Sequence, residues 1–199
     1  MTEQRIPVIV LAGGASRRMG TDKRLVHIGG EPMLQRVVDG LAGHPVVVVV
    51  DPHRDAIPIG ASSGVVLIPD TRPGEGPLAA LEAGLTAVTT DMALVVAGDM
   101  PWLEPALLEL LVDRLAAAPA ADLTCLTDDG RPQPLPMACR RIPTLARVTA
   151  LLDDGERRLR AMLEDPATTT VPETVWRAAD PTGRSLMDVD TPADLARAG

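Results

Sequence analysis

The sequence predicts an α/β protein built on a mostly parallel sheet, and three observations predict it. Apolar runs recur without polar interruption at "IPVIVL" (6–11), "VVVVV" (46–50), "VVLI" (65–68) and "ALVVA" (93–97), as expected of strands buried on both faces. Helix-patterned segments lie between them, giving β-α-β-α order. The unusual residues gather directly after Leu11, Ile68 and Ala97, where sheets of this kind bind ligands, outside the carboxyl ends of their strands.

The elements follow in order. After the first strand, "EPMLQRVVDGLAG" places Met33, Leu34, Val37, Val38 and Leu41 on one helical face, and "GPLAALEAGLTAV" does the same with Leu78, Leu81 and Leu85. The second half predicts a helix over 105–117, strands at "ADLTCL" and "PLPMACR", and helices near 143–153 and 156–164. "DPATTTVPET" (165–174) reads as a polar, proline-bearing loop. "SLMDVDTPADLARAG" reads as a short strand and a helix with Thr191 at the N-cap, Pro192 at the first helical position and Asp194 in the first turn. No repeat, linker or low-complexity segment interrupts the chain, and 199 residues with 46% hydrophobic content suit one domain spanning 1–199.

Composition excludes several functions. The chain has no Phe or Tyr and only Trp102 and Trp176, so platforms for stacking single-stranded bases are missing. With a formal net charge of −8 it has no general appetite for nucleic acid. No apolar run approaches the roughly 20 residues of a membrane helix, and the start lacks a signal-peptide core, so a cytoplasmic location without membrane attachment is expected. Cys125 and Cys139 lack zinc-site spacing and read as buried thiols, and His27 and His44 read as ordinary residues without a role.

Against this acidic background, "LAGGASRRMGTDK" (11–23) is cationic: Arg17, Arg18, Lys23 and the following Arg24 face the single Asp22. The Walker pattern fails because five residues separate Gly14 from Gly20 and Thr21-Asp22 precede Lys23, and the dinucleotide pattern fails because Gly13 and Gly14 are adjacent. The shared physics remains. Glycines let backbone N–H groups approach a phosphate, and Arg18 and Lys23 supply positive charge. In "VVAGDMPWL", Asp99 leaves a buried strand where a carboxylate beside a triphosphate is a natural Mg²⁺ ligand. Its other reading, a cap for the helix near Glu104, is weakened by Pro101 and the intervening residues. Asp70 and the glycine-rich "RPGEGP" after it either line the nucleotide site or form a plain strand-to-helix turn. In "MDVDTP", Asp188 and Asp190 share a side of an extended segment; Asp190 either completes the magnesium site or caps the following helix.

"LAGGASRRMGTDK", "GPLAALEAGL", "GDMP", "RPQPLPMACRR" and "DVDTPADL" together resemble the molybdenum cofactor guanylyltransferases, the MobA-like branch of the nucleotidyltransferase superfamily, over about residues 6–197. The resemblance implies a Rossmann-like three-layer α/β/α fold with a mostly parallel sheet, nucleotide-diphospho-sugar transferase-like. It also implies a reaction in which the terminal phosphate of molybdopterin, or of the molybdenum cofactor, attacks the α-phosphorus of GTP and pyrophosphate leaves. It assigns nucleotide binding to Leu11, Ala12, Gly13, Gly14, Lys23, Asp70 and Asp99. Catalytic roles fall to Arg18, Lys23 and Asp99, and Mg²⁺ to Asp99, with Asp190 as the second candidate ligand already read from the residues. Transient contact with cofactor-delivery or molybdoenzyme-maturation proteins is implied too. Arg131, Arg140, Arg141, Arg157, Arg158 and Arg160 either receive the anionic acceptor or form a solvated face.

Two departures concern the base. Asp188-Val189-Asp190-Thr191-Pro192 stands where many such enzymes resemble Asn-x-Asn-Thr-Pro, a spelling shared with cytidylyltransferase relatives. "VDPHRD" stands where an Asn often helps bind nucleotide, leaving Asp51 or His53 to substitute. Gly13 and Met100 speak against the cytidylyltransferase spellings "LAAG" and "GDQP", and "QPL-x-A" against a different acceptor. A nucleotide-binding regulator without turnover would have no need of both Lys23 and Asp99.

Overall fold

The computed structural model describes residues 5–13, 26–53, 59, 64–189 and 194. Its frame is a seven-stranded sheet: β1 (Val8–Leu11), β4 (Val46–Val50), β5 (Val65–Pro69), β6 (Met92–Ala97), β7 (Leu123–Asp128), β8 (Arg131–Arg140) and β9 (Thr168–Val171), in the order β5-β4-β1-β6-β8-β7-β9. The pairs β4–β5, β1–β4, β1–β6 and β7–β9 are parallel, and β8 runs antiparallel to both its neighbours. The mostly parallel sheet expected from the uninterrupted runs is thus present. A two-stranded hairpin, β2 (His27–Ile28) with β3 (Glu31–Pro32), precedes the first helix and was not legible in the sequence. Two-residue strands carry too little pattern to be seen.

Helices α1 (Met33–Gly40), α2 (Pro77–Ala87), α3 (Pro105–Ala116) and α4 (Arg141–Asp153), with the single turn α5 (Glu173–Trp176), cover the sheet. Alternation along β1 shows how the layers form: Val8 and Val10 join the cluster containing Leu34, Val37 and Val38 of α1 and Leu107 and Leu111 of α3, whereas Ile9 joins the one containing Leu78, Leu81 and Leu85 of α2 and Val148 and Leu152 of α4. Because successive strand residues point to opposite faces, a wholly apolar β1 needs a helical layer on each side. Burying each such side chain stabilises by about 1.5–3 kcal/mol. Trp176 is fully buried in the first cluster, and its indole N–H donates to the Thr127 carbonyl at 2.7 Å.

Several expectations need correction. Val65–Pro69 is an edge strand, with Val66 55% and Leu67 49% exposed, because a strand paired on one side only extends past the covering helices. Residues Leu159–Glu164 form a 3₁₀ helix, not an α-helix. The expected loop at 165–174 contains β9, whose β-branched Thr168, Thr169 and Thr170 suit an extended edge despite their polarity. Where a strand was expected after Ser185 there is a short 3₁₀ turn, Arg184–Leu186, and then irregular backbone through Val189. Thr191 and Pro192 lie outside the described residues. Strand β8 tolerates Pro134 and Pro136 because the register to β7 jumps from Cys125↔Met137 to Leu126↔Gln133, releasing residues 134–136 from that ladder. The Leu135–Pro136 peptide is cis.

Both cysteines are buried, and burial pushes each thiol up to about 12, so neither is a thiolate at neutral pH. His44 is tied to the Ile6 carbonyl through Nδ1 at 2.9 Å. Among the described residues no helix is long and apolar enough to cross a membrane.

Helix α2 meets the sheet through Gly84, where a Cβ would lie 2.3 Å from Ile9 Cγ2 and 3.3 Å from Val49 Cγ2. Helix propensity alone favours Gly84→Ala by about 1 kcal/mol. Overpacking against β1 costs about 1–3 kcal/mol, so Gly84→Ala is expected to lower the stability in urea denaturation. A more stable variant would show that α2 does not seat on β1 this closely.

Candidate active site

The site is built where β1, β4, β5 and β6 end. The ladder continues past the strands: Ala12 N–H donates to the Val49 carbonyl at 3.0 Å, Asp70 N–H to Val50 at 2.7 Å, and Gly98 N–H to Leu11 at 3.0 Å. Residues 12, 70 and 98 are thereby held in one layer at the carboxyl edge. A Cβ on Gly13 would lie 3.8 Å from the Asp51 amide nitrogen and 3.9 Å from Asp70 Oδ2, and one on Gly98 would lie 3.3 Å from Ala12 Cβ and 3.2 Å from Leu34 Cδ1. Leu11, Ala12, Gly13, Asp51, Asp70 and Gly98 therefore converge, and Asp99 follows Gly98 in the same turn. These are the positions the sequence singled out, apart from Gly98 and Asp51, of which Asp51 was seen only as a stand-in for Asn.

Asp70 is 6% exposed, and its Oδ1 accepts the Arg72 N–H at 2.9 Å. Burial raises its pKa above the ordinary 3.8, the Arg72 N–H works against that rise, and the nearby Asp51, Glu75 and Glu82 add to it. The loop behind it is more than a turn. Gly74 and Gly76 have φ of 84° and 93°, a region that favours glycine, and a Cβ on Gly76 would stand 3.0 Å from the Arg157 carbonyl. The same carbonyl accepts the Leu78 N–H at 3.4 Å, and Arg157 Nη2 lies 3.1 Å from Glu75 Oε2.

The arginines divide. Arg140 donates to the Ala121 and Leu115 carbonyls at 2.9 and 3.1 Å, tying down the end of α3, and Arg157 Nη1 donates to the Leu152 and Glu156 carbonyls at 2.9 and 2.8 Å. Both side chains are structural. Arg158 is 81% exposed and forks onto Glu156, whose carboxyl is held down to about 2 by the hydrogen bonds of the Arg158 guanidinium and of the Arg157 and Arg158 amides. The sequence offered no signal for Glu156; only the fold shows it folding this segment against the glycine-rich loop.

Asp99 is half-buried, and its carbonyl accepts the Val189 N–H at 3.2 Å, which brings the segment carrying Asp188 against it. The capping alternative fails: α3 starts at Pro105 after Glu104 with no side-chain cap, and the Glu104 amide donates to Ser185 Oγ. Among the described residues no group of three or more His, Cys, Asp and Glu could hold a metal. The described edge therefore offers the oxygens of Asp99, and Mg²⁺ is a cation that takes one or two carboxylates with water and phosphate oxygens completing its shell. Gly14, Arg17, Arg18, Lys23, Arg24 and Asp190 lie outside the described residues.

The MobA-like NTP transferase domain model matches residues 8–170. A protein of Chloroflexus aggregans named "Probable molybdenum cofactor guanylyltransferase" is 37% identical over 94% of this chain and 90% of its own. The "Molybdenum cofactor guanylyltransferase" of Rhodobacter capsulatus is 36% identical over 98% and 95%. The crystal structure of molybdopterin-guanine dinucleotide biosynthesis protein A from Archaeoglobus fulgidus superposes with a TM-score of 0.83 at 26% identity, covering 97% of this chain and 96% of that one. With the strand order, the carboxyl-edge site and these matches in agreement, the chain belongs to the MobA-like NTP transferase family.

Proposed function

We propose that this protein transfers GMP from GTP to the terminal phosphate of molybdopterin or the molybdenum cofactor. One observation carries the reading: Leu11–Gly13, Asp70 and Asp99 meet at the ends of neighbouring strands in a chain whose relatives are named for this reaction. An oxygen of the acceptor's terminal phosphate attacks the α-phosphorus, the bond between the α- and β-phosphates breaks, and its electrons leave with pyrophosphate. Nothing in this exchange needs a covalent enzyme intermediate, so positioning and charge stabilisation supply the catalysis.

Leu11, Ala12, Gly13 and Gly14 line the base and ribose through their backbone. Gly13 leaves open the space before Asp70 Oδ2, which accepts a hydrogen bond from a nucleotide N–H or hydroxyl. Arg18 and Lys23 neutralise the phosphates. Asp99, with Asp190, holds Mg²⁺, and the ion when bound offsets the charge that builds on the leaving pyrophosphate. Arg158, the exposed fork beside the glycine-rich loop, faces the acceptor.

Asp99→Asn is expected to lower magnesium-dependent turnover by about 100-fold or more with an unchanged melting temperature; wild-type rates would remove Asp99 from the metal site. Lys23→Ala should weaken GTP binding about tenfold or more by calorimetry, and unchanged affinity would place the phosphates elsewhere. Purified protein given molybdopterin, Mg²⁺ and either GTP or CTP should form pterin dinucleotide with GTP alone. Product with CTP would make it a cytidylyltransferase.

Asp70 supplies a pH test. Its folded pKa is raised, so its favourable contribution is complete below the ordinary 3.8 and is lost as pH rises through the folded value. Asp70→Asn should therefore gain stability relative to the wild type between pH 3 and pH 7 while binding GTP more weakly. A stability difference that is flat with pH would mean that the carboxylate is not held against its preference.

A further inference from the structure

One fully buried carboxylate has no place in the chemistry above. Asp180 is 0% exposed, and it is not left bare: Oδ2 accepts the Ser185 N–H at 2.8 Å, and Oδ1 accepts the Gly183 N–H at 2.9 Å and the Thr182 hydroxyl at 2.7 Å. Burial alone pushes its carboxyl up, but the bonds from Ser185, Thr182 and Gly183 outweigh burial and hold it below its ordinary value, so it is ionised at neutral pH. An ionised carboxylate at the centre of residues 180–186 winds them into a knot, with Gly183 left-handed at φ 69°.

The knot grips the neighbouring loop. Ser185, itself 0% exposed, accepts the Glu104 N–H on Oγ at 2.9 Å and donates that hydroxyl to the Trp102 carbonyl at 3.4 Å. The Arg184 guanidinium stacks 4.6 Å above the Trp102 ring. Three residues beyond the knot, the buried Val189 donates its N–H to the Asp99 carbonyl. The turn that carries Asp99 is thus held at both ends by residues 180–189, through bonds to main-chain atoms that do not depend on the side chains at 99–104.

We propose that Asp180 and Ser185 are positioning residues for the metal-binding turn: their buried knot fixes residues 99–104 and so aims the Asp99 carboxylate. The inference rests on the reading of Asp99 as a Mg²⁺ ligand. Supports of this kind beyond a metal's own ligands change its affinity by about 10–100-fold when removed. A knot serving stability alone would lower the melting temperature without moving metal affinity.

Mn²⁺ binding to the full chain carrying no more than one equivalent of GTP, so that no free nucleotide competes for the ion, read by the paramagnetic resonance of the free ion, separates these. Ser185→Ala cuts the links to Glu104 and Trp102 and takes its hydroxyl from Asp180 while keeping the Ser185 amide there, and Asp180→Asn weakens the knot at its centre. Both should raise the Mn²⁺ midpoint about tenfold, with GTP affinity in EDTA within about twofold of the wild type. Leu152→Ala, a core truncation on α4, should lower the melting temperature and leave the midpoint unchanged. Wild-type midpoints in Ser185→Ala and Asp180→Asn, with binding lost in Asp99→Asn, would overturn the positioning role while leaving Asp99 as ligand. A wild-type midpoint in Asp99→Asn would overturn the metal assignment and this inference with it. If Asp180→Asn fails to fold, Ser185→Ala decides alone.

Discussion

The rest of the structure depends on the ladder that joins β5, β4, β1 and β6 and runs beyond their last residues. Buried backbone groups must find partners, and at the carboxyl edge Ala12, Asp70 and Gly98 find theirs on the strand next door. The chain cannot leave the sheet until these bonds are made, so the first residues after them emerge side by side. Gly13, Asp51, Asp70 and Asp99 are neighbours for that reason, although up to 86 positions separate them in the chain, from Gly13 to Asp99. The glycine at 98 belongs to the same constraint, since a side chain there would press on Ala12 and Leu34.

The second half of the chain serves this edge by clamping its loops. Residues 156–158 lie against the glycine-rich loop, where the Arg157 carbonyl takes the Leu78 amide and leaves no room for a side chain at 76. Residues 180–189 hold the Asp99 turn. The contacts in these clamps are unequal: the Arg158 end of its pair with Glu156 lies open to solvent, where such pairs contribute little, whereas the Ser185 N–H bond to Asp180 is buried and leaves an unsatisfied group when broken. Main-chain bonds and the buried carboxylate set the geometry of these clamps.

The sequence by itself determined the parallel core and the places where chemistry is concentrated. Val8–Leu11, Val46–Val50 and Met92–Ala97 were legible because a strand buried on two faces must be apolar at every position. Gly13, Asp70 and Asp99 stood out because polar and glycine residues at the end of such a run are not explained by packing, whereas Leu11 and Ala12 were singled out by the family resemblance alone. Local signals failed where neighbours decide. The Val65–Pro69 run looked as buried as the others but forms an edge, 168–171 looked like a loop but pairs with β7, and 159–164 looked like an α-helix but winds as 3₁₀. Only the tertiary structure could show that Arg140 and Arg157 donate to carbonyls, that Glu156 accepts the Arg157 and Arg158 amides beside the glycine-rich loop, and that Asp180 accepts the amide of Ser185, whose hydroxyl in turn accepts the Glu104 amide. Periodicity records which side chains face a core, whereas these contacts join residues far apart in sequence through backbone atoms, which every residue carries alike.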